Sequence, residues 1–122
     1  MKWKYEYNTE FGVLFKYYYG SIGIDDIIIS WKQAFEKQLI PKEVKGFILD
    51  YTQASFNLEH HEHVKIAEFY QNNLEVFGNH KFAILTKNPK DIVIPILVKS
   101  KDKGYSSRPF TTLPAALNWV LS

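Results

Sequence analysis

The chain contains no cysteine. That excludes a disulfide framework, a thiol nucleophile and thiolate metal sites. Proline and glycine are few, five and six residues, and they form no linker or low-complexity tract. There is no internal repeat. Long apolar runs are missing as well. The longest, residues 92–98, contains Pro95 and is far too short to cross a bilayer. Residues 1–7 hold no apolar stretch of the kind a signal peptide needs. An excess of one charge is also lacking. Fifteen basic residues stand against 13 acidic, a net charge of +2, too mild to argue for nucleic acid.

What the chain does have is apolar and aromatic material. Of 122 residues, 46% are hydrophobic and 16% aromatic. This is enough for one domain with a core that needs no staple or metal. The expectation is a cytoplasmic single domain spanning 1–122, with no cofactor and no membrane span.

Its centre is Lys45-Gly46-Phe47-Ile48-Leu49-Asp50. The unbroken run Phe47-Ile48-Leu49 suits a strand covered on both faces. Asp50 is expected to end it, where the chain leaves the sheet. Ahead of it, residues 3–7 alternate aromatic and charged side chains, an edge strand with one wet face. Turn residues 8–12 lead to a second strand over 13–19, which makes a hairpin. Val13, Phe15, Tyr17 and Tyr19 share one of its faces. Gly20-Ser21-Ile22-Gly23 is expected to break that strand. Ile24, Ile27, Ile28, Trp31, Phe35 and Leu39 then form one helical stripe.

After Asp50 the sequence predicts a loop over 51–57, then one helix over 59–77 closed by a left-handed Gly78. Residues 81–86 read as a strand parallel to the central one, because the crossover is long. Asn88 and Pro89 open the next element. Residues 92–98 are β-branched and hold Pro95, so edge strand and kinked helix both remain open. The polar tail ending at Gly104 favours the helix. A last strand over 105–110 and a helix capped by Thr112 complete the chain. The fold class is α/β: a five-stranded mixed sheet, with an N-terminal antiparallel hairpin and then parallel strands, flanked by about four helices.

Ile48-Leu49-Asp50, Ala54-Ser55-Phe56, Phe110-Thr111-Thr112 and Ala115-Ala116-Leu117-Asn118-Trp119-Val120, with that order of elements, resemble the SpoIIAA-like fold of STAS domains. The chain is also similar to small bacterial proteins described as STAS/SEC14-like. The resemblance implies a regulatory or protein-interaction module. In the antagonists of that family an Asp-Ser-Ser-Gly type motif carries a phosphorylated serine. The corresponding stretch here, Leu58-Glu59-His60-His61, has no serine, and Ser55 lies earlier. The phosphorylation switch therefore does not carry over, while use of this sheet edge for docking does. The SEC14-like similarity implies a second role, a small carrier or sensor for an apolar, lipid-like ligand.

The candidate partner- or ligand-binding residues are Asp50, Ser55, Asn57, Glu59, His60 and His63. His60 and His63 share a helical face and, with Glu59, offer potential zinc ligands. Their spacing is not that of a zinc protease, and a polar first turn of an exposed helix accounts for them. Asp50 has no nucleophile or base beside it in the sequence and reads as a cap for the next N–H groups. No catalytic constellation is found, so the chain is not expected to be an enzyme. Lys87, Lys90, Lys99, Lys101, Lys103 and Arg108 make the last third basic, but Asp91 and Asp102 interrupt them and they read as a solvated face. The aromatic rows Trp3-Tyr5-Tyr7 and Tyr17-Tyr18-Tyr19 would serve a homodimer or line an apolar pocket. The expected partner is an unidentified protein, with an apolar small ligand as the alternative.

Overall fold

A computed structural model describes residues 1–122. The sheet runs in simple order, β1 (Trp3–Asn8), β2 (Val13–Ile22), β3 (Gly46–Phe56), β4 (Lys81–Leu85) and β5 (Ser106–Phe110). β1 pairs antiparallel with β2, and every later pairing is parallel. Five helices pack on it: α1 (Ile24–Glu36), α2 (His63–Gln71), α3 (Leu74–Phe77), α4 (Val93–Lys99) and α5 (Leu113–Val120). The five-stranded mixed sheet read from sequence is what is found.

Two layers of core follow from the strand period of two. On one face Leu14, Tyr18, Phe47, Leu49 and Phe82 meet Trp31 of α1, Tyr70 of α2 and Phe77 of α3. On the other, Val13, Phe15, Ile48 and Ala83 meet Ala116 and Val120 of α5. Asp26 opens α1 by accepting a 2.9 Å bond from the Gly23 N–H, and Lys2 Nζ stands 3.1 Å away. That N–H, more than the lysine, holds the Asp26 carboxyl below its usual range.

α5 lies close to the sheet because Gly46 has no side chain. A Cβ there would stand 2.6 Å from Val120 Cγ1 and 3.0 Å from the Lys81 carbonyl. Gly46→Ala should therefore cost about 1–3 kcal/mol in urea unfolding. An unchanged midpoint would show that α5 slides freely.

Several expectations need correction. β2 does not break at Gly20, and β3 does not end at Asp50. The two strands run on together to Ile22 and Phe56, so most of the expected loop over 51–57 is strand. Between Tyr17 and Tyr19 the register jumps from Asp50 to Gln53, an extra residue on β3. Asp50 bridges this bulge, its Oδ1 accepting from the Thr52 N–H at 2.8 Å and from the Thr52 hydroxyl at 2.6 Å. β4 stays paired only to Asp50, so residues 51–56 of β3 keep β2 alone as a neighbour.

The single helix expected over 59–77 is three pieces: a 3₁₀ turn His60–Glu62, then α2, then α3. Asn73 leaves helical geometry, with φ −130, and its side chain donates to the Phe69 carbonyl at 2.7 Å. An asparagine that bonds the backbone locally competes with the helix ladder. Gly78 has φ −58, and Asn79 takes the left-handed conformation instead, with φ 64. Residues 93–99 are helical. Pro95 is the third residue of α4, where its missing N–H has no intrahelical partner to lose. A 3₁₀ turn Pro89–Ile92 precedes it. There, buried Asp91 accepts the Phe56 N–H at 3.2 Å and ties the start of α4 to the end of β3.

Candidate functional site

The six residues singled out from sequence lie along the carboxyl end of β3 and the segment that follows it. Asp50 is occupied by Thr52, as a local cap. Ser55 lines a shallow polar cleft of about 310 Å³ with Gly20, Ser21, Thr52, Gln53 and Asn88. Asn57, Glu59 and His60 are exposed. The Glu59 N–H donates to Glu62 Oε1 at 2.9 Å, and the His63 ring bonds the His60 carbonyl. These contacts build the turn into α2. They do not bring two histidines and a carboxylate to one point, and no group of three or more potential metal-ligating side chains converges anywhere in the chain.

The opposite, amino end of the sheet carries a broad open concavity of about 860 Å³, with Phe35, Ile40, Val76 and His80 in its wall. Burial pulls the His80 imidazole below its usual range.

A third hollow lies inside the helical layer. It is an apolar slot between the sheet and α1, α2 and α4. Leu49, Tyr51, Ile66, Tyr70, Ile94 and Val98 are among its walls. Its free space is about 20 Å³, room for about one water. Next to it stands a feature that the sequence reading missed. Lys16 is 0% exposed. Its Nζ makes no hydrogen bond and sits 3.6 Å from the centre of the Trp31 ring, 5.0 Å from Tyr18 and 5.9 Å from Tyr5. The sole ion pair of the protein, Lys2–Asp26, is elsewhere.

The hydroxyls around Lys16 are already committed. Ser30 Oγ donates to the Ile27 carbonyl at 2.7 Å, so Tyr18 donates to Ser30 Oγ at 3.1 Å. Tyr5 donates to the Ser30 carbonyl. Burial raises the Tyr18 and Tyr51 phenols well above their ordinary value, and that of Tyr5 to about 12. Burial holds the Lys16 amine well below its ordinary value. Trp31 Nε1 and the Tyr105 hydroxyl are the two other buried polar side-chain atoms without a partner. Buried polar groups almost always find a partner, so this concentration under one helical layer calls for an explanation.

Lys16 and the slot share walls. Lys16 pairs in register with Leu49, which lines the slot. Tyr51, another wall, stacks on Tyr18 at 4.4 Å. The Tyr70 ring, a third, stands 6.2 Å from Trp31.

This architecture defines the SpoIIAA-like fold. A solved structure of an uncharacterised DUF3478 family protein with that fold, from Shewanella loihica PV-4, superposes with a TM-score of 0.63. The overlap covers 97% of this chain and 91% of that one, at 15% identity, a likeness of fold. No protein-family model and no curated protein matches the sequence. No helix is long and apolar enough to cross a membrane.

Proposed function

We propose that this chain is a non-enzymatic binding module of STAS-like fold whose ligand is a small apolar molecule. The observation that carries this reading is the slot under α2 and α4, with nine apolar residues among the ten that line it. The order of preference read from sequence, partner protein first, is thereby reversed. Access needs the cover to part. The cover suits that, because it is built from short pieces, nine residues in α2, four in α3 and seven in α4. Isolated helices shorter than about 12 residues are marginal in water, so packing alone holds them in place.

The second reading is docking of another protein at the carboxyl end of the sheet, near Ser55, Asn57, Glu59, His60 and His63. It is supported by the polar cleft and by residues 51–56 of β3, which lack a strand on the β4 side. Residues 58–61 offer no serine for a phosphorylation switch.

Native mass spectrometry of the chain captured gently from its own cells tests both. Extra small-molecule mass that disappears on denaturation is the expected result. A stoichiometric second polypeptide, with no small-molecule mass, would favour docking instead. A bare chain that also fails to take up Nile red would overturn the apolar-ligand reading.

A further inference from the structure

We infer that β1 is the docking edge for a second copy of this chain, which adds its own β1 antiparallel to the first in a register centred on Tyr5. β1 ends the sheet. It pairs with β2 without a bulge and holds no proline. The other end of the sheet, β5, holds Pro109, which has no N–H to give. An edge strand without such a block is a template for another strand.

The ladder with β2 decides which backbone groups of β1 are free. The Tyr19 N–H donates to the Lys2 carbonyl at 2.8 Å, and these two residues stand opposite each other one step before the Trp3–Tyr18 pair. Bonded pairs alternate along an antiparallel ladder, so Lys4 and Glu6 also turn their backbone groups to β2. Trp3, Tyr5 and Tyr7 turn theirs outward. An added antiparallel strand must match outward residues with outward residues. For a second copy, the registers of longest overlap are then centred on Lys4, Tyr5 or Glu6.

Charge selects among the three. Lys4 and Glu6 are both exposed. A centre on Lys4 sets two lysines opposite each other, and a centre on Glu6 sets two glutamates opposite each other. Like charges directly opposite are destabilising. A centre on Tyr5 sets each Lys4 opposite the other copy's Glu6, in the closer, non-bonded positions of the ladder. The outward groups of Tyr5 then bond Tyr5, and those of Trp3 bond Tyr7. The segment is its own charge complement in this register, as an interface about a two-fold axis requires.

α1 leaves an apolar side chain uncovered on the same side. Asp26 pairs with Lys2, and Gln33 accepts from Trp3 Nε1 at 3.2 Å, so this side of α1 lies along β1. Ile29 shares it by spacing and is 46% exposed. Pairing about a two-fold axis keeps both α1 helices on one face of the joined sheet, which brings the second α1 to the side where Ile29 stands. This edge is separate from the slot and from the carboxyl end of the sheet, and the inference depends on neither reading above.

Sedimentation equilibrium of the full chain at low ionic strength, where surface charges are least screened, tests both the edge and the register. The wild type should form a dimer as concentration rises. Lys4→Glu and Glu6→Lys should each weaken it by about tenfold or more, because opposite-charge pairs become like-charge pairs. The double reversal Lys4→Glu/Glu6→Lys should restore the dimer. Mixing the two single variants should restore it too, since each supplies the charge that the other lacks. Far-UV circular dichroism reports that the variants remain folded. A wild type that stays monomeric at every concentration overturns the inference. So does a dimer indifferent to both single reversals, or one that neither the double variant nor the mixture restores.

Discussion

Trp31→Ala is expected to lose about 3–5 kcal/mol of stability, the usual range for emptying a large buried aromatic site. Trp31 is 0% exposed. Its ring meets four others edge-on: Phe77 at 5.0 Å, Phe47 at 5.5 Å, Phe82 at 6.1 Å and Tyr70 at 6.2 Å. These come from α3, β3, β4 and α2, so one side chain of α1 joins the helical layer to the two central strands. Such pairs add about 0.5–1.5 kcal/mol each beyond the area they bury. A domain of this size has only about 5–15 kcal/mol in total. The urea midpoint should therefore fall by about 2 M, with a smaller loss for Trp31→Phe. A midpoint within error of the wild type would mean that α1 is not packed on the sheet through this ring.

Trp31 was legible in the sequence because it sits on a clean helical stripe with Ile24, Ile27 and Phe35. The order of strands and helices was legible for the same reason. Each element keeps its own period, and the long crossovers require parallel neighbours. The corrections to the strands share a different cause. Gly20, Ser21, Asp50 and Gln53 have turn chemistry, yet β2 and β3 carry them as paired strand because the two extensions hold each other. Pairing between distant segments overrides local propensity, and nothing within either segment announces it. The break of the helix at Asn73 was the opposite case, a local side-chain bond that a reading by apolar spacing passed over.

Lys16 was missed through the same non-local effect. The strand period puts Val13, Phe15, Tyr17 and Tyr19 on one face, which leaves Leu14, Lys16 and Tyr18 together on the other. A lysine on the second face of a strand normally marks that face as wet. Here α1 covers it, and the signal that was available was the pair of apolar neighbours, Leu14 and Tyr18, on either side. The six residues chosen from sequence do cluster at one end of the sheet, and four of them, Asn57, Glu59, His60 and His63, lie between β3 and the first turn of α2. Their polarity made them visible, whereas the slot is built of side chains that look like ordinary core.

Lys16→Met should raise stability at neutral pH by at least about 1–3 kcal/mol, the usual penalty of an unpaired buried polar group, before the linkage with pH is added. Methionine is unbranched like lysine and adaptable in shape, so it can follow the stem between Tyr5, Tyr18 and Trp31. The nearest compensation available to a charged Lys16 is the face of Trp31, 3.6 Å away, with the Tyr18 and Tyr5 rings farther off at 5.0 and 5.9 Å. A desolvated cation–π contact contributes about 2 kcal/mol, whereas drying an unpaired ammonium costs several. The second term wins, which is why burial lowers the proton affinity of the amine.

The pH dependence carries the sign. In the unfolded chain Lys16 titrates near its ordinary value of 10.5, while in the folded protein burial holds it well below. Between the two values the unfolded chain binds one more proton, so stability rises with pH by up to about 1.4 kcal/mol per unit. Below the folded value both states are protonated and this contribution is flat at its most unfavourable. Above 10.5 it is gone. The advantage of Lys16→Met should therefore be largest on the acid side and shrink steadily as pH climbs toward 10.5. Urea titrations of both chains from neutral to alkaline pH measure it. A constant difference, or a wild type that is the more stable at neutral pH, would show that Nζ reaches water or an acceptor. If the gain is found, the native sequence keeps at this position a residue that weakens the fold. Groups that cost stability and are nonetheless present cluster where a ligand is bound.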